Sequence, residues 1–518
     1  MPPLHSPLLA AAIAAILIGP AAAADSAAAP TATGNVVFIH PDGTGPSHWG
    51  AARLYWYGPD AISPWDRLPH VALYRGHMAD DLVATSNGGA TAHAFGHKVA
   101  ADGSYGMDGR GAAARPILAL SGYPGSLLRE AANAGHPTGV VNDGDLPEPG
   151  TGVFFAEVDD RDESSEIARQ LLDGRPGFEG KDVAPVVALG GGEGFFLPKG
   201  TPRCTREVHP DCAVHVDPVK DSGPAREDGR NLVREALARG WQVLRTRAEF
   251  EALRARLARE ADWRPRVLGL FARDDIFNDA PEEVLLARGL VDATRAPGDK
   301  RGRLISHGGL PGSLGYDPPT AAEMTEVALE VLARWSPAAG KPFLLVTEVE
   351  STDNMSNSNN AIGALVGLAH ANEAIEAALA HLARDPATLV LTAADSDASG
   401  LQVVGANAPR AGSVSVNPGA TPEPGTKVPL DGVEGHGSAS FVAEPDQSGQ
   451  RLAFDVGWAS GGDLAGGVVA RAAGLHAERL ATAHSARFDN VDVYRLAYLT
   501  LFGRALDYPQ GRRAPDRR

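Results

Sequence analysis

In Phe343-Leu344-Leu345-Val346-Thr347-Glu348-Val349-Glu350-Ser351-Thr352-Asp353 an apolar run passes directly into a cluster of acids. Residues 343 to 347 have the β-branched, uninterrupted character of a strand buried on both faces. An Ala-rich helical stretch from about Ala361 to Leu382 follows, and then a second apolar run, Thr388 to Thr392. Strand, helix and strand form a βαβ unit, which requires a parallel sheet with helices on its faces. Both strands lead into carboxylates: Glu348 and Asp353 after the first, Asp395 and Asp397 after the second. In open α/β sheets ligands bind outside the carboxyl ends of the strands, so these acids occupy ligand-binding addresses.

The same grammar extends outward. Asn35-Val36-Val37-Phe38-Ile39-His40 reads as a buried strand, and it ends in Pro41-Asp42-Gly43-Thr44-Gly45, which places Asp42 beside the other acids. Further alternation predicts helices at 124–134, 164–172, 231–238, 248–259, 321–335 and 493–502, and strands at 138–142, 186–189 and 468–473. Between Leu82 and Ala100 the chain reads as a short apolar piece, the turn Thr85-Ser86-Asn87-Gly88-Gly89-Ala90-Thr91, and a helix from Ala92. A serine where extended chain becomes helix presents its hydroxyl beside free N–H groups that favour a phosphate, so Ser86 is the candidate nucleophile. Gly190-Gly191-Gly192 is no dinucleotide fingerprint, because neither its spacing nor a following helix fits.

Composition sets limits on the partner. The 518 residues carry a net charge of -17 and no basic run before the tail at 512–518, which excludes nucleic acid. An anionic substrate then needs local compensation from cations or a specific arginine. Residues 1–24 read as a signal peptide, with a short apolar run at Leu8 to Ile18 that is too short to span a bilayer. Residues 25–34 read as a linker of small residues, 35–505 as one catalytic domain, and 506–518 as a disordered tail. Within the domain, 197–228 and 401–457 are rich in Gly, Pro and polar residues and are expected to be irregular insertions. Only two cysteines occur, Cys204 and Cys212, and in an exported chain they could close one small loop.

The polar residues expected at strand ends are Asp42, Ser86, Glu148, Thr151, Arg161, Glu348, Asp353 and Asp395. One hydroxyl, one arginine and several carboxylates are the groups that metal-assisted phosphoryl transfer uses. With Asp42-Gly43-Thr44-Gly45, Ser86 before Ala90-Thr91-Ala92, Thr151-Gly152-Val153-Phe154-Phe155-Ala156 before Arg161, the Glu-x4-Asp of Glu348 and Asp353, and Thr392 to Asp395, the chain resembles the alkaline phosphatase family from Asn35 to about Gly503. The motifs follow the family's order. The resemblance implies a three-layer α/β sandwich with a central, mostly parallel sheet, a phosphoserine intermediate on Ser86, phosphate held by Arg161, small phosphate ester substrates, and commonly a dimer.

It also implies divalent metals, zinc among them, and here the chain departs from the family. Histidine ligands are implied four residues after Asp353 and next to Asp395, where this chain has Asn357 and Ser396. Spacing back from Asp489 puts Ser460 at the place of a third, with His436 as a substitute from the insertion. Asp397 is an alternative to Asp395 if the extra alanine shifts the register, and Arg169 an alternative to Arg161. His40, His93 and His97 are read as structural. A ligand set of Asp42, Thr151, Glu148, Glu348, Asp353, Asp395, Asn357 and Ser396 is almost all oxygen, which favours Mg, Ca or Mn over zinc. The activity expected is a phosphomonoesterase; a phosphodiesterase or sulfatase-like hydrolase on the same core, or a catalytically silent phosphoester-binding protein, are the alternatives.

Overall fold

The computed structural model describes residues 31–175, 184–216, 223–290, 312–405, 430–431, 441–482 and 487–509. The expected signal peptide and His436 lie outside the described residues, as does most of the expected tail. Ten strands build the central sheet: β1 (Asn35–Pro41), β2 (His70–Arg75), β3 (Thr138–Asp145), β4 (Val187–Gly191), β5 (Gln242–Leu244), β6 (Val267–Leu270), β7 (Leu344–Val349), β8 (Thr388–Thr392), β9 (Val468–Gly474) and β10 (Arg487–Asp489). Their order is β10-β2-β9-β8-β1-β7-β3-β4-β6-β5. Every pairing is parallel except the two made by β9. The mostly parallel sheet between helical layers is therefore present.

Strand β1 lies between β8 and β7 and is buried along its whole length, as its sequence requires. Side chains alternate across a strand, so Val36 and Phe38 join the core on one face while Val37 and Ile39 join the core on the other. The first face is covered by α2 (Ser86–Phe95), α3 (Pro149–Phe155) and α7 (Asn490–Phe502); the second by α1 (Pro46–Trp56), α4 (Ala321–Ala339) and α6 (Ala361–Arg384), while α5 (Ser351–Asn357) follows β7 directly. Helix α4 starts at a capping box in which Thr320 Oγ accepts from Glu323 N–H and Glu323 reaches back to Thr320 N–H. Helix α6 buries Ile362, Leu365, Leu368, Ala371 and Ile375, a stripe at helical spacing that faces the sheet.

Three expectations change. The helix after Ser86 starts at Ser86 itself and stops at Phe95, so Gly88 and Gly89 are helical; Thr85 caps it by accepting from Gly88 N–H. Residues Leu82 to Ala84 form no strand, and the strand that precedes the helix is β2, further back. The 401–457 stretch is not wholly irregular: Gln402–Gly405, Leu430–Asp431, Phe441–Val442 and Ala453–Gly457 form a small antiparallel sheet. Cys204 and Cys212 are disulfide-bonded. Among the described residues no helix is long and apolar enough to cross a membrane.

Candidate active site

Register brings the first group of site residues together. Across the sheet His40 of β1 lies opposite Glu348 of β7, which lies opposite Asn142 of β3. Glu348 accepts from Asn142 Nδ2 at 2.5 Å, from Gly150 N–H at 2.9 Å and from Thr151 Oγ1 at 3.4 Å. Gly150 permits this approach, because a Cβ there would fall 2.0 Å from Glu348 Oε1. Asp42, just beyond the end of β1, holds Gly43 N–H at 2.7 Å and lies 3.5 Å from His40 Nε2. His40, Asp42 and Glu348 each offer a donor atom within 4.8 Å of the others.

Asp42 also interacts directly with Asp395, beyond the end of β8. Asp395 packs against the start of α2, where a Cβ on Gly89 would lie 2.5 Å from the Asp395 Cβ. That contact sets Ser86, at the first position of α2, near the carboxyl ends of the strands; its side chain is half-buried. Asp397 faces elsewhere, 3.5 Å from His48 Nδ1. Asp395, and not Asp397, is therefore the carboxylate that meets Asp42.

A third group surrounds α5. Asn357 Nδ2 donates to Asp353 Oδ2 at 2.9 Å and to Asp463 Oδ1 at 3.0 Å, and Ser399 Oγ donates to Asn357 Oδ1. The expectation for Ser460 does not hold: its hydroxyl donates to Gly462 O, and Asp463 is the side chain that reaches Asp353 and Asn357. Arg161 meets the N-terminus of α2, donating from Nη1 to Asn87 Oδ1 and from Nη2 to Glu148 Oε2, each at 3.2 Å. Arg169 pairs with Glu166 and Asp173 on its own helix.

Burial dominates the electrostatics. It pushes Glu348 up to about 8 and raises Asp353, Asp395 and Glu350 well above the usual carboxylate range, with neighbouring carboxylates adding to the shift. Burial opposes ionisation of His40 as well, yet the charges of Asp42, Asp395 and Glu348 lift it to about 10. Burial also works against an ionised Asp42, but its contacts with Asp395, His40 and Gly43 hold it below the usual carboxylate range. Among the described residues several atoms in this region are buried with no hydrogen-bond partner: His40 Nε2, Asp42 Oδ2, Asp353 Oδ1, both Asp395 oxygens and Ser396 Oγ. Orphaned buried acceptors at converging carboxylates are what divalent cations satisfy, so the residues present fit the implied metals. The donors are oxygen apart from His40, which the sequence reading treated as structural. Neither His40 nor Asp463 carried a motif; the one signal for Asp463 was its position shortly before the last long strand.

A model of the family described as alkaline phosphatase matches residues 33–422. The chain belongs to the alkaline phosphatase family. Among curated proteins it is 27% identical to the streptomycin-6-phosphate phosphatase of Streptomyces griseus, over 75% of this chain and 79% of that protein. It is 25% identical to the alkaline phosphatase of Escherichia coli K12, over 70% of this chain and 69% of that protein. Among solved structures the Thermus thermophilus alkaline phosphatase aligns over 92% of both chains at 18% identity and a TM-score of 0.58. Membership in this alkaline phosphatase family makes the chain a hydrolase of the phosphomonoesterase type, and the family implies divalent metals.

Proposed function

We propose that the chain is an exported, metal-dependent phosphatase that hydrolyses small phosphate monoesters through a phosphoserine on Ser86. The observation that carries this reading is the convergence of Ser86, the Arg161 guanidinium and the buried carboxylates Asp42, Glu348, Asp353 and Asp395 at one end of the sheet. Ser86 Oγ forms a bond to phosphorus as the bond from phosphorus to the ester oxygen breaks, releasing the alcohol. Water then attacks the same phosphorus, frees inorganic phosphate and returns the serine hydroxyl. Arg161 holds two phosphate oxygens in a charge-assisted fork, with Glu148 and Asn87 fixing the guanidinium plane. Asp42, Glu348, Thr151 and the nearby Glu148 would hold one cation, Asp42, Asp395 and Ser396 a second, and Asp353, Asn357 and Asp463 a third. Bound divalent cations would neutralise phosphate charge and lower the pKa of the serine hydroxyl and of the attacking water.

Export is supported by the apolar run at 8–18 and by the Cys204–Cys212 disulfide, which suits an oxidising compartment. The family suggests a dimer. The test is hydrolysis of p-nitrophenyl phosphate, bis-p-nitrophenyl phosphate and p-nitrophenyl sulfate side by side, with metal analysis of the same sample. The monoester is expected to be the best substrate, Ser86→Ala to be folded and inactive, and acid-quenched turnover to leave phosphate on Ser86. A fully active Ser86→Ala variant removes the covalent mechanism. Preference for the diester or the sulfate reassigns the substrate class.

A further inference from the structure

A second cluster of carboxylates lies on β3 and the loop after β6, away from Ser86. Asp145, the last residue of β3, is 4% exposed, and Asp274 and Asp275, in the loop that follows β6, are half-buried. One carboxylate oxygen from each of the three lies within 4.8 Å of the other two. Two of the acids have ordinary partners: Arg273 donates to Asp274 Oδ2 at 2.9 Å, and Asp145 N–H donates to Asp275 Oδ1 at 3.1 Å. Among the described residues Asp145 Oδ1 has no hydrogen-bond partner, although it is buried and lies beside the other two carboxylates. A buried, unpaired carboxylate oxygen costs several kcal/mol unless a proton or a cation meets it.

We propose that Asp145, Asp274 and Asp275 form a binding site for one calcium ion, distinct from the catalytic cluster. Carboxylate oxygens are hard ligands, and the half-exposed side formed by Asp274 and Asp275 gives water access to complete a large, adaptable coordination shell. Magnesium suits the site less well, since it demands a near-ideal octahedron. The ion would act on the catalytic region through the backbone. Asp145 O accepts from Asn142 Nδ2 at 2.9 Å and from Glu148 N–H at 3.1 Å, and the same Asn142 amide donates to Thr151 and Glu348. Clamping Asp145 to the loop after β6 therefore fixes the turn that carries Glu148 and Thr151.

The inference goes beyond the proposed catalysis and is tested without it. Full-length protein saturated with magnesium is dialysed against calcium, and bound calcium is counted by elemental analysis in the wild type and in a variant carrying Asp274→Asn and Asp275→Asn. The variant is expected to hold one calcium fewer per chain. The melting temperature of the wild type is expected to rise by a few degrees with calcium, and that of the variant to stay unchanged. If the double variant does not fold, Asp275→Asn alone serves, with the wild-type calcium titration followed by terbium luminescence. An equal calcium count in the two proteins overturns the site, as does a wild-type melting temperature that calcium leaves unmoved. In either case a proton shared among the three acids is what neutralises them.

Discussion

Asp463 joins Asp353 and Asn357 in a set of oxygen donors. Zinc prefers nitrogen and sulfur ligands, while Mg, Ca and Mn prefer oxygen. Asp463→His is therefore expected to raise the affinity for zinc relative to magnesium. Competition dialysis with elemental analysis measures the shift, and an unchanged ratio would remove Asp463 from the ligand set. Arg161→Ala removes a charge-assisted fork but leaves the carboxylates in place. Each lost hydrogen bond to a charged group is worth about 1.5–3 kcal/mol, so kcat/KM should fall by at least about tenfold. Arg169→Ala, whose ion pairs lie on its own helix, should leave kcat/KM near the wild-type value; the reverse pattern would mean that the wrong arginine has been assigned. Site residues at or just beyond the carboxyl end of a strand, such as Asp42, Glu348 and Asp395, were legible in the sequence because strand ends have a known address. His40 and Asp463 were not, because a lone side chain becomes informative only once register or folding sets it beside partners far away in the chain.

Helix α2 illustrates how an element can be placed in the right region with the wrong boundary. Two consecutive glycines lower helix propensity, so the sequence reads Gly88-Gly89 as a turn, yet both are helical because α2 must press against the end of β8. A Cβ at Gly89 would lie 2.5 Å from the Asp395 Cβ and 2.7 Å from its Oδ2. Gly89→Ala is thus expected to displace the helix start, costing about 1–3 kcal/mol of stability and reducing kcat sharply. Gly50, inside α1, has open space where its Cβ would go, and Gly50→Ala should stabilise the protein by about 0.5–1 kcal/mol. Thermal unfolding of the two variants compares them directly. Equal effects would mean that helix propensity and not the contact with Asp395 governs Gly89. Helix α5 escaped the sequence reading for a related reason. Ser351-Thr352-Asp353-Asn354 are poor helix formers, and the segment is helical because Ser351 donates to Asp143 and Thr352 to Asp42 O. The long strands and α6 were legible because burial on both faces, or a stripe at helical spacing, is written in the local sequence. The small sheet within 401–457 is built from pairings between distant short segments, which leave no such trace.

On the scale of the whole molecule, a centre of buried carboxylates couples stability to pH, and its cations remove that coupling. Burial lowers His97 to about 4 and His48 to about 3. His48 Nδ1 accepts from Gly45 N–H, which leaves it no proton to offer Asp397 and keeps the ring neutral. The unfolded chain takes up protons at these histidines below about pH 6.5, so they destabilise the fold as pH falls from there and contribute no slope above pH 7. Glu348 and His40 act in the other direction. Their folded pKa values, about 8 and about 10, lie above the ordinary values of 4.5 and 6.5. Stability from such groups is fully present below the unfolded value and is lost as pH rises through the folded one. Between pH 7 and 9 the metal-stripped protein should therefore lose up to about 1.4 kcal/mol per pH unit for each such group that is still protonated in the folded state and already deprotonated in the unfolded chain. A bound divalent cation replaces those protons, so the loaded protein should show no such decline. Differential scanning calorimetry of stripped and magnesium-loaded protein at pH 7 and pH 9 makes the comparison. A melting temperature that falls with pH only in the stripped protein is the expected result. Equal pH dependence in the two forms would mean that the buried carboxylates are not where the cations bind.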